Sequence, residues 1–149
     1  MIPAPLQSIA DLFAGLSENE RRELLIHYAA GVERYAPQQG ESFEVEDIRH
    51  DAECMDTVGV HVKLIGGRCH FRVSFGPEVQ TLTRALTAIL CEGLAAATAH
   101  EILSLPDDIA QEFAGAQLVR LRSRTVHYVL RRMKNAVALC QDRNSREGR

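Results

Sequence analysis

No two of the four cysteines (Cys54, Cys69, Cys91 and Cys140) stand in a C-x-x-C or C-x-x-H pair. That spacing excludes a zinc-finger type of site, and four scattered thiols in 149 residues do not make a disulfide framework. No apolar run reaches the roughly 20 residues of a membrane span. The opening MIPAPLQSIADLF also lacks the basic start of a secretory signal. A cytoplasmic location and no membrane partner are therefore expected. Nothing resembles a serine–histidine–aspartate set, a phosphate loop or a dinucleotide fingerprint. What the chain does have is the make-up of a globular domain: 46% of its residues are hydrophobic and 25% charged. At 149 residues it is long enough to bury most of its apolar surface as one unit.

The most informative stretch is His50–Phe75, HDAECMDTVGVHVKLIGGRCHFRVSF. A polar, acidic loop holding Cys54 leads into an apolar/polar alternation, a Gly66-Gly67 turn and a second alternation. A two-residue turn there pairs Val58 with Phe75, Val60 with Val73, Val62 with Phe71 and Leu64 with Cys69. Side chains alternate with period two, so these eight share one greasy face that needs helices to cover it. The other face carries His61, Lys63, Arg68, His70 and Arg72, which suits water or a partner.

Around the hairpin the pattern is helical. Leu6, Ile9, Ala10 and Phe13 mark a short helix within Met1–Gly15. Ser17 and Glu20 form a capping-box pair opening a second helix, which Gly31 ends. Ser42–Ile48 alternates and predicts a third, outer strand. After Gly76-Pro77, apolar residues from Leu82 to Leu90 predict a helix ending at Gly93. Thr98 and Glu101 repeat the capping box, and Pro106-Asp107-Asp108 predicts a further helix start. A last stripe of Val126, Val129, Leu130, Met133, Val137 and Cys140 predicts a long helix from about Ser123. The expected fold class is α+β: a small antiparallel sheet, the hairpin plus a third strand, packed against several helices. Residues 1–140 are expected to form a single domain and 141–149 (QDRNSREGR) a disordered basic tail.

The net charge of −3 is unevenly spread: residues 120–149 hold nine Lys/Arg against two acids, and residues 1–119 eight against eighteen. The basic helix residues Arg120, Arg122, Arg131, Arg132 and Lys134 have an intramolecular counterpart in that acidic body. The basic hairpin face carries no aromatic for base stacking, so no nucleic-acid partner is expected. His50, Cys54, His61, Cys69 and His70 invite a metal reading, but Cys69 and His70 point to opposite faces. No metal site is expected.

With its elements in this order the chain resembles the SufE family of sulfur-acceptor proteins, which work with cysteine desulfurases in iron–sulfur cluster assembly. The likeness covers roughly Leu12 to Leu139. The family's loop, approximately G-C-x-S-x-V-W, matches Glu53-Cys54-Met55-Asp56-Thr57-Val58-Gly59. Its I-V-R-G-L helix is similar to Leu82-Thr83-Arg84-Ala85-Leu86, and its S-R-x-x-G helix start to Ser123-Arg124-Thr125-Val126-His127. Here Glu53 stands for the glycine, Asp56 for the serine and Gly59 for the aromatic, and the family's acidic run is reduced to Glu78-Val79-Gln80-Thr81.

The resemblance implies a SufE/IscU-like fold and a sulfur carrier acting with a desulfurase rather than a stand-alone enzyme. Cys54 takes the sulfur, Arg124, Arg84, Glu78 and Asp56 support the site or dock the partner, and an iron–sulfur scaffold complex lies downstream. No cofactor is implied beyond a transient cysteine persulfide. The residues themselves agree on Cys54, the one cysteine in a polar loop, although Asp51, Glu53 and Asp56 disfavour a thiolate beside them. The alternative is a non-catalytic protein-binding module of the same fold that has lost sulfur transfer.

Overall fold

Residues 2–51, 56–115 and 125–147 are described by the structure, a computed structural model. Three strands form its sheet: β1 (Val45–Asp51), β2 (Asp56–Ile65) and β3 (Arg68–Phe75), antiparallel in the order β1-β2-β3. Gly66 and Gly67 take φ of 58° and 78°, the positive pair that a type I′ turn demands. The turn sets the register Val58 to Phe75, Val60 to Val73, Val62 to Phe71 and Leu64 to Cys69, as the alternation predicts. β1 is the expected third strand, shifted towards Asp51, with Val45 opposite Val62 and Asp51 opposite Asp56. Residues 52–55 therefore link two strand ends that face one another.

Among the described residues there are six α-helices: α1 (Ala4–Ala14), α2 (Glu18–Ala30), α3 (Thr81–Gly93), α4 (Ala99–Leu103), α5 (Gln111–Ala114) and α6 (Thr125–Glu147). A 3-10 turn, Val32–Tyr35, follows α2. Both capping boxes form, Ser17 with Glu20 and Thr98 with Glu101. α6 lies against the inner sheet face, where Val58, Val60 and Val62 are fully buried with Met133, Val137 and Cys140. α3 is buried almost all round, between α1 and α2 on one side and α6 on the other. Its Gly93 lets α1 come close, since a Cβ there would sit 2.5 Å from Leu6 Cδ1 and 2.9 Å from Leu6 Cα.

Three expectations are corrected. Residues 141–147, expected within a disordered tail, are helical: α6 continues to Glu147, with Arg143 donating to the Glu44 carbonyl and Arg146 facing Asp142 one turn away. A polar stretch can stay helical when it extends a helix already anchored by packing. Regular helix begins at Gln111 rather than Pro106, because residues 106–110 form turns and Asp107 is drawn to the Lys134 ammonium at 2.9 Å. The outer hairpin face, in turn, is only partly open, with His61 buried and Arg68 exposed. The segment before β1 folds over it, Glu41 pairing with Lys63 at 3.2 Å and Arg72 at 3.1 Å, while the Phe43 ring lies 5.3 Å from His61. His61 is only 6% exposed, with Nδ1 3.1 Å from Glu46 Oε1 and Nε2 3.1 Å from Ser74 Oγ.

Candidate functional site

Cys54, which the likeness makes the sulfur acceptor, and Arg124, which it gives a supporting or docking role, lie outside the described residues, and Asp56 is described only as the start of β2. The structure does show what holds the two strand ends between which Cys54 is linked. Arg132 projects from α6 into the sheet with 7% exposure, although its sequence neighbours suggest a solvated basic face. Its Nη2 donates to the carbonyls of Asp47 and Val58, both at 2.6 Å, and lies 3.4 Å from Asp47 Oδ1. A single guanidinium nitrogen thus joins β1 and β2 across the helix–sheet interface. A buried cation is stable only with such partners.

On its other side the start of β2 meets the β3–α3 turn. Gly76 donates its N–H to the Thr57 carbonyl at 2.8 Å and packs so closely that a Cβ would lie 3.1 Å from Thr57 Cβ. Arg84 secures that turn from α3: its Nε donates to Val79 O and its Nη2 to Gly76 O, each at 3.1 Å. The guanidinium also lies 5.1 Å from the centre of the Phe75 ring and 3.9 Å from Glu33 Oε1. Glu78 sits exposed in the turn between those two carbonyls. The structure thus brings Arg84 and Glu78 to one turn and backs that turn against Thr57, three residues beyond Cys54.

Gly59, where the family motif carries an aromatic, has no room for a side chain. A Cβ there would lie 2.3 Å from Ser74 Oγ and 3.1 Å from Ile48 Cγ1. The outer face at this point is given over to the Ser74–His61–Glu46 chain of hydrogen bonds.

The other three cysteines sit in the core. Cys69 and Cys140 are fully buried and Cys91 nearly so, and burial pushes their thiols up to about 12, 11 and 12 respectively. Cys140 Sγ lies 3.9 Å from the Val62 carbonyl. At neutral pH these are protonated thiols packed as small hydrophobes. Among the described residues no group of three or more His, Cys, Asp or Glu is arranged to hold a metal ion, and no helix is long and apolar enough to cross a membrane.

Arg132 is the residue that sequence reasoning missed. It falls among the charged residues of α6, yet it stands three residues after buried Val129 and four before buried Ala136. That i, i+3, i+7 placement on the apolar stripe was the available signal.

A three-stranded antiparallel sheet with helices packed on it, and one cysteine carried between two adjacent strands, defines an α+β protein of a recognisable kind. The sequence pattern of the SufE family, described as the Fe-S metabolism associated domain, matches residues 7–137, and the chain belongs to that family. Two curated relatives, uncharacterized SufE-like proteins from two strains of Mycobacterium tuberculosis (CDC 1551 / Oshkosh and H37Rv), are each 29% identical over 137 residues, 89% of this chain and 91% of theirs. Among solved structures, a hypothetical protein from Thermus thermophilus superposes with a TM-score of 0.77 at 24% identity, covering 95% of this chain and 99% of that one. The N-terminal part of a nitrogen-fixing NifU-like protein from Brucella abortus gives 0.60 at 16% identity, over 85% and 99%. These two share the fold.

Proposed function

We propose that this chain is a sulfur acceptor of iron–sulfur cluster assembly, taking sulfur onto Cys54 from a cysteine desulfurase. In the transfer, the Cys54 thiolate attacks the terminal sulfur of the desulfurase's cysteine persulfide. The bond between that sulfur and the donor cysteine breaks, and the donor leaves as a thiolate. Cys54 then carries the persulfide, with its proton, to an iron–sulfur scaffold complex. No metal or cofactor takes part in this step.

Membership of an Fe–S metabolism family supports the reading, and one observation on the chain itself carries it. Every cysteine other than Cys54 is buried and held in the thiol form. A thiol must reach the thiolate state and another protein's donor sulfur in order to react. Cys54, flanked by strands that Arg132 and the Arg84 turn hold in place, is the one left to do so.

The test is desulfurase turnover. The host's cysteine desulfurase is supplied with L-cysteine, and alanine release is followed with and without the chain. Wild type should accelerate release under a thiol reductant that clears the carrier, and Cys54→Ser should not. A Cys54→Ser variant that stimulates as well as wild type would mean a binding module without transfer chemistry.

A further inference from the structure

We infer that Arg132 is a positioning residue for sulfur transfer, an inference that rests on Cys54 being the acceptor. Val58, whose carbonyl Arg132 holds at 2.6 Å, is four residues beyond Cys54 on β2. Asp47, held equally closely, lies on the strand that leads up to the 52–55 link, one residue pair from Ile48 and Gly59. The guanidinium therefore ties together both strands that carry the link, from the side of α6.

The same contact fixes α6. This helix begins at Thr125, immediately after Arg124, and reaches Arg132 two turns later. Further along it, Cys140 meets the Val62 carbonyl and Arg143 donates to the Glu44 carbonyl. α6 thus runs along the β1–β2 pair with polar contacts at these points, and of these three Arg132 makes the one nearest both the helix start and the strand ends. It sets the spacing between the element that carries Cys54 and the element that follows Arg124.

Two features make the contact stiff. The guanidinium is planar and permanently charged, so its bonds to carbonyl oxygens are charge-assisted and directional. It is also buried, at 7% exposure, where water does not compete. Thr57, the residue before Val58, is gripped from the other side by Gly76 and, through it, Arg84. The first two residues of β2 with described side chains are consequently held from opposite sides. Transfer between two proteins needs the acceptor sulfur placed in line with the donor's sulfur–sulfur bond. Loosening one of those holds should slow the chemical step without touching the surface that meets the partner.

The experiment uses the full chain with the host's cysteine desulfurase and L-cysteine, single-turnover loading of Cys54 being followed by mass spectrometry across a range of desulfurase concentrations. Rates are divided by the folded fraction measured by circular dichroism at the assay temperature. Arg132→Met should load about tenfold more slowly at saturating desulfurase with an unchanged half-saturation point, as expected when a reacting group is misplaced rather than unbound. Arg132→Lys keeps the charge and a donor, and should recover to within about threefold of wild type. If Arg132→Met does not fold, Arg132→Gln, which keeps a donor but not the charge, replaces it with the same expectation of slow loading. Loading at the wild-type rate per folded molecule by the Met or Gln variant overturns the inference. So does a loss confined to the half-saturation point. If wild type itself takes no sulfur on Cys54, it is the acceptor reading that fails, and the positioning role falls with it.

Discussion

Three thiols of this chain are kept from ionising by burial, and that has a measurable cost at high pH. An unfolded cysteine ionises near pH 8.5, whereas Cys69, Cys91 and Cys140 are pushed up to about 12, 12 and 11 in the folded protein. Each folded value lies above the unfolded one, so the stability they contribute is intact below about pH 8.5 and is lost as pH climbs towards 11–12. The urea midpoint should fall between pH 8 and pH 10, and Cys91→Ala should show a shallower fall than wild type. Tyr28, also raised to about 12 by burial and by Glu92, changes stability in the same direction in both proteins. A thiol-alkylating reagent at pH 8 should modify Cys54 in the native state and the other three only after denaturation, as peptide mapping would show. At this scale the sequence was readable in part: Cys69 facing inward follows from period two, and Cys91 and Cys140 follow from helical periodicity. The place of Arg132 on the apolar stripe of α6 was readable, but its partners were not, since they lie 85 and 74 residues away in the chain.

The elements are positioned by close approaches that single substitutions can test. α1 packs on α3 where Gly93 faces Leu6, and a methyl group there would enter atoms 2.5–2.9 Å away. Overpacking of that kind costs about 1–3 kcal/mol, so Gly93→Ala should lower the urea-derived unfolding free energy by that amount. At the other end of the fold, removing residues 141–149 deletes the bond from Arg143 to the Glu44 carbonyl. Its loss should cost about 1 kcal/mol, the net worth of an ordinary hydrogen bond. A truncated chain with wild-type stability would mean that the last two turns of α6 contribute nothing. The hairpin, its register and both capping boxes were legible because each is written in a few adjacent residues. The cover on the outer sheet face was not, since Glu41 meets Lys63 and Arg72 only after 22 and 31 residues of intervening chain have folded. Nor does composition tell how far a helix runs into a polar terminus, as the extension of α6 to Glu147 shows.

For the whole molecule, charge is matched internally at two described residues of the basic final segment. The basic final segment meets the acidic body through Arg132 with Asp47 at 3.4 Å and Lys134 with Asp107 at 2.9 Å, and Lys134 also donates to the Leu105 carbonyl. These contacts give two cations of the basic helix partners within the chain. They also leave the sheet, α3 and α6 as one support for the strands on either side of Cys54. The account stands on that cysteine alone receiving sulfur. The direct measurement is to let wild type react with its host's desulfurase and L-cysteine, trap persulfides, and map them by peptide mass. The account predicts the mass of one added sulfur on the peptide containing Cys54 and none on those containing Cys69, Cys91 or Cys140. Sulfur on any of the buried three, or on no cysteine at all, would contradict it.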